Sequence, residues 1–544
     1  MQETTTLSRT STGEQVPAAT DRALPRAWDT DPVISWAASA GVAFLAAFLR
    51  LWRVDQPKAF LFDETYYAKD AWSLVHHGYV TNYVPDANNR ILAGNLHGLW
   101  TSDPSMVVHP EVGKWIIGLT ELVVGMTPFG WRFASAIIGS LMILVMIRLT
   151  RRITGSTMLG LVGGVLMCFD GLQFVLSRLA LLDIFVAFFV LCAVTCMVAD
   201  RDWFRARLSA SLPPGHQSLT GWGPRVLWRP WLLAAGVCWG LALGTKWSAL
   251  YPLAGFGILF WAWSSGGRRS FGVRRAWLKA ALMDAAPALV YIVVLPAIIY
   301  VASWTGWLIH ANVYETHLAH NNYGPYWGSY LQQDTHGFFP HLIRALRSLY
   351  HYHQDVFAFH DTGLNHATHP YQSNPLGWPI LNRPVGVDAQ NGIKPGVQGC
   401  TATGSGVCLR QVLLIGTPAL WWFATIALIF AVVVWVGRRD WRYGVVVVGA
   451  VTSWLPWLKF DTRPIFSYYA IVMEPFLILG AVLLLGEILG RAPSGSRRRR
   501  LGGIAAGSIV VLVIVNFAWF WPIYTDGLLT TNQWVHRIWF EHWI

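Results

Sequence analysis

The sequence contains repeated apolar runs that are long enough to cross a lipid bilayer. The runs at 281–301, 412–436 and 504–521 approach or exceed the roughly 20 residues that a membrane-spanning helix needs. Only 13% of the 544 residues are charged, whereas a soluble protein carries about a quarter. Backbone polar groups in lipid must be satisfied within the segment, so apolar runs of this length form helices. The chain is therefore predicted to be an all-α polytopic membrane protein.

Hydropathy and loop charge together predict about eleven transmembrane helices. Every second connection is rich in Arg, which is typical of loops retained in the cytoplasm. This pattern places the N-terminus in the cytoplasm and the C-terminus outside. The same clusters account for the net charge of +12, so the charge does not indicate nucleic-acid binding. The predicted spans lie near 33–51, 131–149, 157–174, 183–199, 231–245, 248–264, 281–302, 411–436, 444–458, 468–489 and 502–522.

The spans divide the chain into membrane modules and exported segments. Two large outer loops carry most of the polar residues, and the apolar stretch 112–127 in the first of them is predicted to be an interfacial helix. The second loop is rich in Gly, Pro, Asn and His, so we expect an irregular cap. The predicted divisions are a disordered cytoplasmic tail at 1–30, an N-terminal catalytic membrane module at 31–302 with its outer loop at 52–130, a large outer loop at 303–410, a C-terminal four-helix module at 411–522 and an exported tail at 523–544.

Cys400 and Cys408 lie in the large outer loop. An exported loop would allow them to form a disulfide, and the sequence leaves open whether they do.

Two adjacent carboxylates, Asp63 and Glu64, follow the first predicted span. Burial near the membrane surface raises the pKa of a carboxyl group and suits it to act as a general base. The alternative is a pair of solvated loop carboxylates. Tyr66 follows in the same stretch.

Several cations lie near the outer ends of predicted spans. A cation at the lipid boundary can bind an anionic headgroup. The alternative is that it anchors a helix end and binds no ligand. Arg178 has a further alternative, which is to pair with Asp183 in its own turn. Acids and cations on one side of a helical bundle suit an enzyme that acts on a lipid-linked phosphate. The cations are Lys114, Arg132, Arg178, Lys246 and Arg463.

An ordered set of motifs resembles the bacterial protein O-mannosyltransferases of the actinobacterial type, which are GT-C glycosyltransferases. The similarity runs from about residue 33 to the C-terminus, and it implies a GT-C fold. The motifs are Phe62-Asp63-Glu64, His109-Pro110-x-x-Gly113-Lys114, Arg132 at the start of a span, Ser177-Arg178-x-x-Leu181-Leu182-Asp183, Gly240-Leu-Ala-Leu-Gly-Thr-Lys246-Trp247 and Ser467-Tyr468-Tyr469.

The resemblance implies transfer of mannose, with inversion, from polyprenyl-phosphate mannose to Ser or Thr hydroxyls of secreted proteins. It implies that Asp63 is the base and that Glu64 positions the acceptor or Asp63. His109, Tyr66 and Tyr468 would contact acceptor or sugar. The five cations would contact the donor phosphate or lipid, with Lys246 and Arg132 foremost. No cofactor or metal is implied.

The resemblance further implies a plasma-membrane location with the active site outside. Membrane lipid is then a partner, and the secretion translocon is a candidate partner. His109-Pro110 is followed by Glu111, where eukaryotic relatives carry a second Pro, so the role of Glu111 stays open.

Two other functions remain open at this point. One is a GT-C enzyme that transfers a lipid-phosphate sugar to a glycolipid or wall polymer, and it would share the acid and the topology. The other is a lipid-sugar flippase or transporter, although the sequence shows no internal repeat of the kind common in transporters. Acceptor proteins, polyprenyl length and oligomeric state are not determined by the sequence.

Overall fold

The structure, a computed structural model, describes residues 31–214, 216, 218–219, 221–319, 330, 333, 336–365 and 367–544. The predicted tail at 1–30 lies outside the described residues. Within them, seven helices are long and apolar enough to cross a membrane. These are Pro32–Leu51, Pro128–Thr154, Leu182–Ala210, Ala285–Ser303, Pro418–Arg438, Trp441–Phe460 and Arg497–Tyr524.

Further helices complete the bundle, and the predicted number of eleven spans stays a prediction. Two of these helices are apolar but shorter than a span, Thr157–Cys168 and Pro230–Leu243. The others are Gly171–Leu176, Leu250–Ser270, Ala276–Met283 and Glu474–Leu489, with a 3-10 turn at Trp247–Ala249 and another at Ser467–Val472.

The sequence sets the ends of the long helices locally. Asp31 accepts hydrogen bonds from the first amides of Pro32–Leu51, and the side chain of Thr127 does the same for Pro128–Thr154. Both helices begin with Pro, which has no N–H to leave unpaired at that position. Gly155 ends the second of them in the left-handed conformation, with φ of +70°, which Gly adopts without steric cost.

One end of the bundle, here called the loop face, carries the described residues of the segments 52–127, 304–417 and 525–544. The other end, the Arg-rich end, carries the described residues of the connections 155–156, 211–229, 271–275, 439–440 and 490–496. The helices of the loop face are Glu64–His77, Ala87–Leu92, Val112–Val124, Thr305–Ile309, Ala311–Ala319, Phe338–Ala358 and Thr531–Val535. Its single turns are Phe359–Gly363, Pro375–Ile380, Val397–Gly399 and Glu541–Trp543.

Two small antiparallel sheets add to the loop face. Strands β1 (Thr81–Tyr83) and β2 (Trp100–Pro104) form a hairpin. Strands β3 (Val385–Ile393), β4 (Cys408–Leu414) and β5 (Leu529–Thr530) form the second sheet. The C-terminal segment therefore returns to the same face as the large loop, after the helices between β4 and β5.

The large loop is more ordered than an irregular cap. Phe338–Ala358 buries one face, including Leu349, Tyr352 and Val356, and the hydroxyl of Tyr352 accepts a hydrogen bond of 2.6 Å from the amide of Val107 in the first loop. Cys400 and Cys408 form a disulfide. Composition alone missed this order, because the helix is stabilised by contacts with a segment about 250 residues earlier.

The N-terminal and C-terminal membrane modules share one apolar core. Gly255 and Thr452 illustrate the contact, because a Cβ added at Gly255 would lie 2.5 Å from the Thr452 methyl group. This close packing holds Ser467–Val472, from the second module, against the polar residues of the first.

Candidate active site

Asp63 and Glu64 begin the helix Glu64–His77, and the preceding Phe62 has a φ of +49°. A residue with a side chain adopts this left-handed backbone at a cost of order 1 kcal/mol or more. The ring of Phe62 packs edge-on against Phe466 and Tyr468. The turn directs the two neighbouring carboxylates into different surroundings.

Glu64 is completely buried and fully hydrogen-bonded. Its oxygens each accept 2.8 Å hydrogen bonds from Arg132, and they also accept from the amides of Leu61 and Ala180. Arg132 uses its remaining N–H groups on the carbonyls of Val54, Pro57 and Ala59. The pair therefore joins the first loop to two membrane helices.

This geometry corrects one expectation from the sequence. Arg132 was a leading choice for the phosphate contact, but it is fully buried and protein atoms take up its donors. A guanidinium has five N–H groups, and those of Arg132 leave none for a ligand.

Asp63 is only partly buried and weakly bonded. The hydroxyl of Tyr468 donates to its Oδ2 at 3.4 Å. Burial raises the pKa of Asp63 to about 6, the positive charge of Lys246 opposes this shift, and the negative charge of Asp183 adds to it. Asp63 is thus mostly ionised at neutral pH and is a stronger base than an ordinary carboxylate.

Lys246 lies beside Asp63 and forms a close ion pair with Asp183. Its Nζ lies 3.0 and 2.8 Å from the two carboxylate oxygens and 4.9 Å from the ring centre of Tyr469. Asp183 therefore partly neutralises Lys246, which still contributes to the local field.

Two further cations from the sequence have structural partners. Arg178 donates to the carbonyls of Arg50, Trp52 and Arg53, at the end of the first span. Its suggested pairing with Asp183 is therefore wrong. Lys114 is buried and lies 2.9 Å from Asp70.

Arg463 differs from the other four cations. Its guanidinium makes no hydrogen bond or ion pair with any described residue, and its Nε is buried without a partner. The group lies 5.4 Å from the ring centre of Phe460. Burial lowers the pKa of His109 and of His360, and the positive charge of Arg463 adds to this effect at both rings.

His109 and His360 bring the two outer loops together at this site. Their rings stack with centres 5.5 Å apart, and Tyr67 lies 6.1 Å from His109. Burial, followed by the charge of Lys246, lowers the pKa of His109 well below its usual value. Both rings are therefore neutral at physiological pH.

The remaining candidates divide in two. Tyr468 is buried against Asp63, whereas Tyr66 is 63% exposed. Glu111 is buried, and burial raises its pKa to about 7, with the charge of Lys114 opposing the shift. Its Oε2 accepts a hydrogen bond from the indole of Trp115 at 3.3 Å.

Sequence reasoning did not identify His360 or the partnership of Asp183 with Lys246. His360 lies in a His-rich stretch with irregular spacing, and only its contact with His109 distinguishes it. Across the described residues, no group of three or more His, Cys, Asp or Glu side chains is arranged as metal ligands.

Comparisons with known proteins agree with this architecture. Residues 41–314 match the family described as dolichyl-phosphate-mannose-protein mannosyltransferase. Residues 345–543 match the C-terminal four-transmembrane region of protein O-mannosyltransferase. The solved structure of the Saccharomyces cerevisiae protein O-mannosyltransferase Pmt1-Pmt2 complex bound to the sugar donor superposes with a TM-score of 0.65 at 14% identity, covering 94% of this chain and 92% of that one. That likeness supports the GT-C fold.

Curated relatives are similar along almost their whole length. The polyprenol-phosphate-mannose–protein mannosyltransferase of Mycobacterium tuberculosis is 36% identical, over 94% of this chain and 92% of the relative. The protein of the same name from Corynebacterium glutamicum is 31% identical, over 95% and 94%. Identity at this level over this length shows that the chain belongs to the dolichyl-phosphate-mannose–protein mannosyltransferase family.

Proposed function

We propose that this glycosyltransferase moves mannose from polyprenyl-phosphate mannose to a Ser or Thr hydroxyl of a protein, with Asp63 as general base. The assignment of the base rests on the different surroundings of Asp63 and Glu64. Of the two adjacent carboxylates, only Asp63 is partly accessible and free to take a proton. Glu64 already accepts hydrogen bonds on both oxygens.

The reaction is a single displacement at C1 of the mannose. The acceptor hydroxyl attacks C1, its proton passes to Asp63, and the bond from C1 to the phosphate oxygen breaks. The configuration at C1 is inverted, and the polyprenyl phosphate leaves with the bonding electrons. A base with a pKa of about 6 suits this step, because it is ionised at neutral pH and still accepts a proton readily.

Among the candidate cations, Arg463 is the one we assign to the leaving phosphate. Protein groups engage Arg132, Arg178, Lys114 and Lys246, whereas the buried Nε of Arg463 has no partner among the described residues. A preorganised donor that meets developing negative charge stabilises a transition state. Lys246 contributes through its field, and Glu64 with Arg132 holds the turn that presents Asp63.

The proposal also includes the cellular location. The loop face lies outside the plasma membrane, the N-terminus lies in the cytoplasm, and acceptor chains arrive from the secretion translocon. The disulfide between Cys400 and Cys408 on the loop face supports this orientation, because disulfides persist in oxidising compartments.

The test uses membranes that contain the full chain, labelled polyprenyl-phosphate mannose and a Ser/Thr-rich peptide. We expect transfer to the peptide, and a loss of about 10²- to 10⁴-fold in Asp63→Asn, which is the usual contribution of a general base. Asp103→Asn is the matched control, since Asp103 is a first-loop carboxylate that is 59% exposed.

Three results would contradict the proposal. Near-normal transfer by Asp63→Asn would rule out the base. Label appearing only in lipid would favour a glycolipid acceptor, and an equal loss in Asp103→Asn would show a general effect of altered loop charge.

A further inference from the structure

We propose that Nδ1 of His360, on the large loop, accepts a hydrogen bond from a ring hydroxyl of the transferred sugar and so helps select that sugar. The inference rests on the proposed function and names a specificity contact within it.

The two nitrogens of His360 have different surroundings. Nε2 lies 3.2 Å from the carbonyl oxygen of Val108, and a carbonyl only accepts, so Nε2 carries the proton. Nδ1 is buried and has no hydrogen-bond partner among the described residues. In a neutral imidazole one nitrogen donates and the other accepts, so Nδ1 presents a lone pair.

The ring is held neutral and in a fixed orientation. Burial lowers the pKa of His360, and the charges of Arg463 and Lys246 lower it further, against the opposing effect of the Val108 carbonyl. His109 stacks on the ring at 5.5 Å, and Trp247 packs edge-on at 6.3 Å. These contacts keep the lone pair in one direction.

A buried acceptor with no partner in the protein is available to a donor from a ligand. An unsatisfied buried polar atom costs free energy that a suitable hydroxyl would recover. Phosphate oxygens do not donate, so the phosphate is not that partner. Sugar hydroxyls do donate. The ring of His360 lies 6.3 Å from Trp247, which follows Lys246, and 5.5 Å from His109. His109 in turn lies 6.1 Å from Tyr67, on the helix that Asp63 begins, so the lone pair lies in the same part of the site as Asp63.

A neighbouring histidine shows the contrast. Nδ1 of His353 lies 2.7 Å from the carbonyl of Leu349, and Nε2 lies 2.5 Å from the hydroxyl of Tyr300. Both nitrogens of His353 are therefore engaged within the protein. His353 lies two helical turns before His360 and provides a matched control.

The test measures kcat/KM for mannose transfer from the natural donor and from its 2-, 3-, 4- and 6-deoxymannose analogues. The variants are His360→Ala and His360→Phe, with His353→Phe as control. Phe keeps a ring against His109 but has no acceptor, so it serves if the Ala variant folds poorly. For the wild-type protein we expect kcat/KM to be about 10- to 100-fold lower with one of these analogues than with the natural donor.

The decisive result is whether removing the imidazole of His360 and removing one sugar hydroxyl have non-additive effects on kcat/KM. With the natural donor, kcat/KM of both His360 variants should fall by a factor similar to the one that the wild type loses on that analogue. Replacing the natural donor by the analogue should not lower kcat/KM of these variants further. His353→Phe should prefer the natural donor over the analogue as strongly as the wild type does. A His360 variant that retains full discrimination at every position would overturn the inference and would leave an ordered water as the partner of Nδ1. Wild-type protein that transfers no mannose to peptide would instead refute the proposed function.

Discussion

The two ends of the bundle both contain buried ionic clusters, but only the cluster at the Arg-rich end is closed, in the sense that each of its charges is paired with one of opposite sign. There, Arg229 binds both oxygens of Asp200, and Arg268 binds both oxygens of Asp284 at 3.0 and 2.8 Å. The remaining Nη1 of Arg229 lies 3.9 Å from Asp284. The four side chains are buried and tie the connection 211–229 to three helices.

The cluster at the loop face is open. Asp63 has one hydrogen bond of 3.4 Å, and both Arg463 Nε and His360 Nδ1 have no partner in the described part of the chain. The helix Leu182–Ala210 links the two clusters through Asp183 and Asp200. At about 1.5 Å per residue, the 17 positions between them span roughly 25 Å.

The difference indicates two uses of buried charge. In a closed network each charge is paired with one of opposite sign, so the network holds helices together and has no free charge for a ligand. An open network leaves groups whose desolvation is not compensated within the protein, and such groups are expected where a ligand supplies the missing partner.

Breaking the closed cluster should have the largest effect on stability. Asp200→Asn removes the carboxylate that pairs directly with the buried Arg229 and leaves it only Asp284 at 3.9 Å. Removing one partner of a buried ion pair typically costs about 3–5 kcal/mol. The melting midpoint in detergent should fall, and activity per folded molecule should stay near normal because the active site is distant.

Asp202→Asn is the matched control. Asp202 pairs with Arg152 and Arg201 at the same end, but its side chain is 40% exposed, so the change should cost less than about 1 kcal/mol. Equal shifts in the two variants would contradict the distinction between closed and exposed pairs.

Removing the charge of Arg463 should affect activity and spare stability. Arg463→Gln removes a charged donor without stranding a partner, so the melting midpoint should not fall. Loss of a charge-assisted hydrogen bond corresponds to about a 10- to 100-fold increase in KM for the lipid donor. Lys459→Gln, at an exposed position four residues earlier, is the control. An unchanged KM in Arg463→Gln would remove Arg463 from the phosphate site.

Changing pH should give the smallest effect. The raised pKa of Asp63, about 6, means that its ionised, proton-accepting form predominates above pH 6. The transfer rate should therefore fall about tenfold per pH unit below 6. Initial rates between pH 5 and 8, with folding checked at each pH, give the profile. A rate that does not change between pH 5 and 7 would contradict Asp63 as a base with this pKa.

The sequence predicted the membrane architecture and the neighbourhood of the site, because those signals are local. Apolar runs and Arg clusters identified helices such as Pro128–Thr154 and separated the loop face from the Arg-rich end. The Asp63-Glu64 pair stood out next to the first span. The helix and sheet of the large loop were not predicted, because they depend on contacts with distant segments.

The sequence alone could not decide which candidate residues are available to a ligand. Glu64 finds Arg132 at a separation of 68 residues, and Lys246 finds Asp183 at a separation of 63. Composition and spacing do not encode such pairings. Ionisable residues near a membrane surface therefore look equivalent until the fold shows which are already bonded.

What the sequence determined by itself is that this chain is a multi-spanning membrane protein with Arg-rich connections at one end and two large polar loops at the other. Hydrophobic run length and charge asymmetry suffice for that, because each acts through the local free energy of transfer into lipid. Only the tertiary structure decided that Asp63 is the freer of the two adjacent carboxylates and that His360 presents a lone pair. It also decided that Arg463, of the five candidate cations, has no partner among the described residues. Those properties depend on which donors and acceptors other segments have already occupied.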